Sequence, residues 1–426
     1  MSKITRIITL GTFLLLNSCL SQDHGKILTE SERLDLFDQV WNTVNEQFYD
    51  PHFNGINWQA KYEQYKPLIA NSSQTDSLFK LLNNMLFELN SSHCGIDLLS
   101  NLKNNASPYI FMDGTIGIDI RVIDSEIIIV EVIPNSSAAV SNLKTGYVIK
   151  EIDGLSLVDF KKTTNYKPPF NRRNKIFHLT TEILRHIYGK PESSVTLDYL
   201  DENNNLKSVR LIRTQRKEGI SLVDWLPPLF VESESFFLTD NIAYLRFNAF
   251  QPDNLEHVID DLKKISHTKG LIIDFRGNDG GSIEAMKRLL GRFVSERKKY
   301  GTYINRNEEN EDFIEPIGNK FKGKIVVLVD EMSISGAENS SLLLQQLNIA
   351  TIIGNQTPGQ LLLGNVYRIN DTISLVIPIY KLEYPNGFNP ENNGITPDIE
   401  IELNRKDLLN GKDTQLERAI EYLTNE

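Results

Sequence analysis

The chemistry-bearing residues of this chain fall in four polar stretches, each following a hydrophobic run. The first is Val329-Asp330-Glu331-Met332-Ser333-Ile334-Ser335-Gly336-Ala337-Glu338, which reads as a strand end, a tight turn and a helix start. A serine at Ser335 projects from that turn, and the amide of Gly336 lies at the helix N-terminus. A nucleophilic hydroxyl beside an oxyanion donor needs this placement. The same residues also describe an ordinary helix cap, with Glu338 completing a capping box; taken alone, the stretch favours the cap. The second is Asp274-Phe275-Arg276-Gly277-Asn278-Asp279-Gly280-Gly281, a glycine-rich turn after a buried strand. Its glycines let backbone N–H groups approach an oxyanion or a phosphate. It carries no Walker lysine–serine pair and no G-x-G-x-x-G pattern, so a nucleotide site is disfavoured.

The third stretch is Leu89-Asn90-Ser91-Ser92-His93-Cys94, at the close of a helical run. A histidine there is either a partner of the helix dipole or a proton carrier oriented by its serine neighbours. Cys94 reads as a buried, inert thiol rather than a nucleophile. The fourth is Asn389-Pro390-Glu391-Asn392-Asn393-Gly394-Ile395-Thr396-Pro397-Asp398, whose turn formers predict a loop. Glu391 by itself reads as a solvated loop charge; a buried orienting role is the other reading.

Three kinds of element must position these groups. From Thr29 to Asn90 the pattern is helical. Leu34, Phe37, Val40, Trp41 and Val44 form one stripe, Leu78 to Leu89 a second, and Thr29 or Ser31 can cap the first helix. From Tyr109 to Arg216 the period becomes two. Runs at Ile116 to Val122, Glu126 to Val132, Val195 to Tyr199 and Val209 to Thr214 predict strands, with helices at Ser137 to Leu143 and Ile176 to Tyr188. The turn Asp201 to Asn205 predicts a hairpin. From Leu226 strand and helix alternate. Strands are expected at Ile242 to Asn248, Gly270 to Asp274, Ile325 to Val329 and Ala350 to Ile353, and helices at Asn254 to Ser266, Ser282 to Phe293 and Gly336 to Leu347. That alternation predicts an α/β core.

Composition narrows the classes. The 426 residues are 40 % hydrophobic and 24 % charged, an ordinary globular balance, and the net charge of −11 disfavours bulk nucleic-acid binding. Two cysteines and no H-E-x-x-H spacing give neither a disulfide framework nor a metal signature. Lys3 and Arg6 precede a mostly apolar run from Ile7 to Leu16, too short to span a bilayer. The run reads as a secretory signal. Its end, Leu16-Asn17-Ser18-Cys19, resembles a bacterial lipoprotein signal, which implies cleavage before Cys19, lipidation of its thiol and a cell-envelope location on a membrane.

Together, and in this order, the four stretches resemble the tail-specific (C-terminal-processing) serine peptidase family, in particular its tricorn-like branch. Asp274-x-Arg276-x-Asn278-x-Gly280-Gly281, Ser333-x-Ser335-Gly336-x-Glu338, Gly354-x-x-Thr357-x-Gly359 and Gly394-Ile395-x-Pro397-Asp398 carry the resemblance. It implies an α/β fold with a crotonase/ClpP-like core of strand–helix units, a PDZ-like domain and a small helical N-terminal domain. The PDZ resemblance rests on Ile116-Gly117-Ile118 at the carboxylate-binding loop and on Ser136 to Gly154; Asn142 and Tyr147 depart from the usual glycine and aspartate. The division implied is a signal at 1–19, a tether at 20–28, helices at 29–105, the PDZ-like domain at 106–216 and the core at 217–426.

The resemblance also implies roles. Ser335 matches the nucleophile. Where one branch of the family places a lysine base, this chain has Gln360, which cannot accept the serine proton. The tricorn-like branch uses a histidine preceded by a serine, with a distant glutamate, and Ser92, His93 and Glu391 match these. The amide of Gly336, with that of Gly280 or Gly281, is the implied oxyanion hole. Ile116, Gly117 and Ile118 would bind an extended peptide. The implied substrate is a polypeptide or peptide, and no metal or organic cofactor is implied. A catalytically silent peptide- or ligand-binding lipoprotein of the same fold is the alternative.

Overall fold

The computed structural model describes residues 28–72, 74–98, 113–216, 219–221, 229–370, 373–385 and 387–425. The signal segment with Cys19, the tether and the junctions expected near 105 and 217 lie outside the described residues.

The N-terminal helices form as their apolar stripes require. Glu30–Gln47 starts at a capping box: the Thr29 N–H donates to Glu32 Oε2 at 2.8 Å, and the Glu32 N–H donates to Thr29 Oγ1 at 3.2 Å. Its Leu36, Phe37, Val40 and Val44 share one buried core with Leu78, Leu82, Met85 and Leu86 of helix Thr75–Phe87. A further helix, Trp58–Ala70, lies between them in the chain and was not singled out by the periodicity. Its start signal was nonetheless present, since Asn57 Oδ1 accepts from the Ala60 N–H at 3.0 Å.

This helical cluster does not close on itself. Strand Gly95–Leu98 leaves it and pairs antiparallel with strand Ile373–Glu383, in register Gly95↔Val376 and Ile96↔Leu375. Ile96, Ile373, Leu375 and Ile377 then complete the helical core. The sheet formed runs 95–98, 373–383, 298–304, 309–314, with 363–368 on the other edge of 373–383. No reading of the sequence placed this antiparallel sheet.

The α/β core contains the expected strands. Their order is 233–239, 242–247, 270–274, 324–329, 350–354, 399–400, parallel from the second onward. Both faces are buried, which is why these strands read as continuous apolar runs. Leu245, Leu271, Ile273, Ile325 and Val327 face helices Pro252–Lys264, Ile283–Leu290 and Gly336–Gln346. Ile272, Val326 and Leu328 face the C-terminal helix Thr414–Asn425. The two polar turns of interest therefore leave adjacent parallel strands at Asp274 and Val329, at the carboxyl edge of the sheet where ligands gather in such folds.

The β-rich region orders its strands 118–123, 126–132, 148–152, 194–200, 206–212. Asp201 Oδ1 ties the expected hairpin by accepting from Asn203 and Asn205 N–H at 2.8 and 3.0 Å. Its long helix is Arg172–Ile187, four residues earlier than the period suggested, because Asn171 caps it by accepting from the Asn174 N–H at 2.8 Å.

This region is bolted to the core. Arg121 Nε meets Asp330 Oδ2 at 2.7 Å, with both side chains nearly out of solvent (5 % and 4 %). Phe177 packs on Met332 and Ile334, while Leu403 and Leu408 pack on Ile128 and Val148. Stranding one charge of a buried pair costs about 3–5 kcal/mol, whereas an exposed pair is worth about 0–1 kcal/mol. Arg121→Ala is therefore expected to lower the urea midpoint strongly, and Lys150→Ala, which loses the exposed 3.6 Å pair with Glu126, to leave it nearly unchanged. Equal midpoints for the two variants in chemical denaturation would contradict the bolted arrangement.

Candidate active site

Ser335 is the residue before helix Gly336–Gln346, and its backbone sits at φ 53°, ψ −112°. A non-glycine residue held in such a sparsely populated region costs about 1–3 kcal/mol and persists only where its surroundings over-determine it. They do. The Ser335 N–H donates to Gln360 O at 3.1 Å and to Glu338 Oε2 at 3.2 Å. Its carbonyl accepts from the Asn339 N–H and from Asn339 Nδ2, both at 2.9 Å. The hydroxyl is buried and makes no hydrogen bond among the described residues. Ser335 is the N-cap residue, as the isolated stretch suggested, and Glu338 accepts from its amide as in a capping box; its Oγ is left without a hydrogen-bond partner among the described residues.

The glycine turn lies against this serine. A methyl group on Gly280 would sit 2.5 Å from Gly336 N and 2.7 Å from Ser335 Cβ, so only glycine fits there. The Gly280 N–H is spent on Asn278 Oδ1 at 2.8 Å, and Asn278 Nδ2 in turn donates to Phe247 O at 2.7 Å. The neighbouring amides of Gly281 and Gly336 carry no such bond among the described residues. Asp274 and Arg276 form the frame below. The guanidinium grips Asp274 Oδ2 at 2.6 Å and Asp413 Oδ2 at 2.8 Å, and the Tyr244 hydroxyl donates to Asp274 Oδ2 at 2.8 Å.

Glu391 is buried, at 8 % exposure, which corrects the solvated-loop reading. Its Oε1 accepts from the Ser92 N–H at 2.9 Å. Its Oε2 accepts from Ser92 Oγ at 3.1 Å and from the Leu361 and Leu362 N–H groups at 2.8 and 3.2 Å. Ser92 Oγ also lies 3.0 Å from His93 Nδ1. A hydroxyl has one proton. If it goes to the carboxylate, Ser92 Oγ must accept from Nδ1–H, which leaves Nε2 as the imidazole's basic nitrogen. Burial pushes Glu391 up to about 7, opposed by the three backbone N–H groups and the Ser92 hydroxyl.

A second buried carboxylate, Glu338, is also pushed up to about 7 by burial. It accepts from the Gly359 and Gln360 N–H groups at 2.7 and 2.8 Å and from the Thr357 hydroxyl. Four successive amides, 359 to 362, therefore serve two carboxylates: one under the Ser335 turn and one under Ser92-His93. The same loop ends at Gly364, where an added methyl would stand 3.2 Å from His93 Cβ. These contacts gather Ser335, Ser92, His93 and Glu391 around one loop, with no hydrogen bond between Ser335 Oγ and His93.

Gln360 turns away from this group. Its Nε2 donates to Asn174 Oδ1 at 2.6 Å, and Asn171 Nδ2 donates to Pro358 O and Asn392 O at 2.6 and 2.9 Å. Helix Arg172–Ile187 is thus tied to both loops of the site, a role for Asn171 and Asn174 that sequence reasoning missed. The Asn171 cap signal was legible; its distant partners were not. Ile116, Gly117 and Ile118 stand elsewhere, at the head of strand Ile118–Ile123. Ile116 and Ile118 are buried, and Gly117 (φ 80°) donates its N–H to Thr115 Oγ1 at 3.0 Å. Among the described residues no group of three or more His, Cys, Asp or Glu could hold a metal ion, and no helix is long and apolar enough to cross a membrane.

Comparison with known proteins agrees with this geometry. Residues 241–401 match the model of peptidase family S41, and residues 29–87 that of the tricorn protease C1 domain. A carboxyl-terminal-processing protease of Synechocystis sp. is 23 % identical over 405 residues, covering 93 % of this chain and 87 % of the relative. The tricorn protease of Thermoplasma acidophilum is 21 % identical over 410 residues, and this chain spans only 35 % of its length. The solved photosystem II D1 C-terminal processing protease superposes with a TM-score of 0.57 at 18 % identity, over 92 % of this chain and 97 % of the other.

Cys94, beside His93, is not a competing nucleophile. It is buried, its Sγ lies 3.7 Å from Leu86 O, and burial pushes its pKa up to about 12. In a Cys19→Ser background, Cys94 is expected to react with iodoacetamide only after unfolding. Rapid alkylation of the folded protein at neutral pH, read by intact mass, would contradict this placement.

Proposed function

The chain belongs to peptidase family S41 and is a serine peptidase, and on that premise we propose that it is an exported, lipid-anchored endopeptidase that cleaves unfolded polypeptides or peptides through a Ser335 acyl-enzyme with His93 as base. The observation that carries the reading is the line Glu391–Ser92–His93. A binder needs no such line, whereas a base needs its tautomer set. His93 Nε2 takes the Ser335 proton as Oγ attacks the scissile carbonyl, then returns it to the leaving amine. Ser92, held by Glu391, keeps the Nδ1–H tautomer and supports the imidazolium. The oxyanion is received by the N–H groups of Gly336 and Gly281. Gly280, whose own amide is occupied, supplies the room in which they converge. The chemistry written this way uses no metal or organic cofactor.

Two further parts of the reading concern delivery. Strand Ile118–Ile123 is an edge of its sheet and lies beside helix Arg172–Ile187. That supports a PDZ-like role in which a substrate segment adds as a strand, with its terminal carboxylate at Ile116-Gly117-Ile118. The N-terminal signal and Cys19 support a cell-envelope location with a membrane anchor.

The decisive test is cleavage of a disordered protein by the mature chain. Ser335→Ala and His93→Ala are each expected to lower kcat by 10³-fold or more while remaining folded. Cleavage that survives Ser335→Ala in contaminant-free protein would overturn the nucleophile.

The pH profile supplies a second test. Glu391, up to about 7, is ionised above that value and neutral below it. Neutral Glu391 no longer claims the Ser92 proton, which can turn to His93 Nδ1; the ring proton then moves to Nε2, and the base is lost. kcat/KM is therefore expected to fall as pH drops through about 7, and Glu391→Ala, which removes the acceptor of the Ser92 hydroxyl, to stay low on both sides. A wild-type rate that is flat from pH 8 to 5 would contradict this role.

A further inference from the structure

The strained backbone of Ser335 is held from both sides. Its N–H is fixed by Gln360 O and Glu338 Oε2. Its carbonyl is fixed by Asn339, through the main-chain N–H and through Nδ2. The Nδ2 contact requires the Asn339 amide to face one particular way, and nothing within the amide chooses between its two ends. The choice is made from outside: the Tyr384 hydroxyl donates to Asn339 Oδ1. A hydroxyl donor demands the oxygen, so the nitrogen must face Ser335 O. Tyr384 is 2 % exposed, and burial, with Tyr300, Glu338 and Glu391 around it, holds its pKa well above 10, so it remains a donor throughout the working pH range.

The location of Tyr384 adds to this. It is the first residue beyond strand Ile373–Glu383, the strand whose Val376 pairs with Gly95, two residues after His93. One strand therefore braces the segment carrying the base along its length and pins the nucleophile turn from its end. Elements that share a rigid ladder keep their spacing, and a displacement of about 1 Å in a reacting group can cost about 10²-fold in rate.

We propose that Tyr384 and Asn339 are positioning residues for acyl transfer: the Tyr384 hydroxyl orients the Asn339 amide, and that amide holds the Ser335 carbonyl so that Oγ faces His93 and the Gly336 amide faces the oxyanion. The proposal rests on Ser335 being the nucleophile. Neither residue touches the reacting atoms. Tyr384→Phe leaves Asn339 Oδ1 without its donor and frees the amide to turn. Asn339→Asp keeps the acceptor for Tyr384 but places an oxygen against Ser335 O.

The experiment compares Tyr384→Phe, Asn339→Asp and their double variant with wild type and with Tyr300→Phe. Tyr300 meets Tyr384 edge-on at 6.4 Å in the same buried cluster but takes no part in the Asn339 bond. The readouts are kcat and KM on a disordered protein substrate, the second-order rate of Ser335 labelling by a fluorophosphonate, the pH profile and the melting temperature. Tyr384→Phe and Asn339→Asp are each expected to lower kcat and the labelling rate by 10- to 100-fold. KM should stay within about two-fold, the midpoint of the pH profile should not move, and the double variant should be no slower than the slower single one. Tyr300→Phe should keep wild-type rates. Wild-type kcat in either Tyr384→Phe or Asn339→Asp, or equal losses in Tyr300→Phe, would overturn the proposal. Labelling that persists in Ser335→Ala would instead overturn the nucleophile beneath it.

Discussion

Everything in this site hangs on four consecutive backbone N–H groups. Those of Gly359 and Gln360 point to Glu338, and those of Leu361 and Leu362 point to Glu391. Two carboxylates buried this deeply would be costly without such donors. With them, each becomes an anchor for a different part of the chain. Glu338 holds the Ser335 turn and Glu391 holds Ser92-His93, although Ser92 and Glu391 are 299 positions apart. The loop between the two anchors ties the Ser335 turn and the Ser92-His93 segment to one frame.

The scaffolding around that loop follows the same logic at larger scale. The parallel sheet delivers two turns side by side at its carboxyl edge, one bearing Ser335 and the other its glycines. The antiparallel sheet brings in the His93 segment through Gly95–Leu98. The β-rich region closes over the group, with Arg121 on Asp330, Asn174 on Gln360 and Asn171 on the loops at Pro358 and Asn392. Gln360, at a position where a lysine would be a base, is a tie instead. Its carbonyl, its amide and its side chain all serve to hold other groups.

Much of this was legible in the sequence. The buried strands Gly270–Asp274 and Lys324–Val329 are apolar runs bounded by turn formers, and both are covered throughout apart from the exposed Lys324, so local pattern and burial agree. The antiparallel sheet was not legible. Strand Lys298–Ile304 mixes lysines, tyrosines and a glycine with no exposed residue, and Glu309–Ile314 is exposed over its first three residues whichever face they take, so neither shows a clean period of two. Helix Trp58–Ala70 escaped because it carries Pro67 and only a weak apolar stripe. Glu391 was misread when taken alone because its loop is rich in turn formers, and its partners are named nowhere near it. The same limit applied to Ser335: a cap and a nucleophile share a local signature, and Ser335 is the N-cap residue of its helix with an unpartnered Oγ. Asn339 and Tyr384 gave no local signal, since their meaning lies in one contact between distant segments.

The His93 ring reports most directly on the line from Glu391 through Ser92. ¹⁵N NMR of histidine-labelled protein, with His93 assigned by difference against His93→Ala, reads which nitrogen carries the proton. At pH 8 a proton on Nδ1 and a bare Nε2 are predicted, changing to the opposite tautomer in Glu391→Ala, which removes the acceptor of the Ser92 hydroxyl and lets its proton turn to the ring. A wild-type His93 protonated on Nε2 at pH 8, or a tautomer indifferent to Glu391→Ala, would contradict the line from Glu391 through Ser92 to His93.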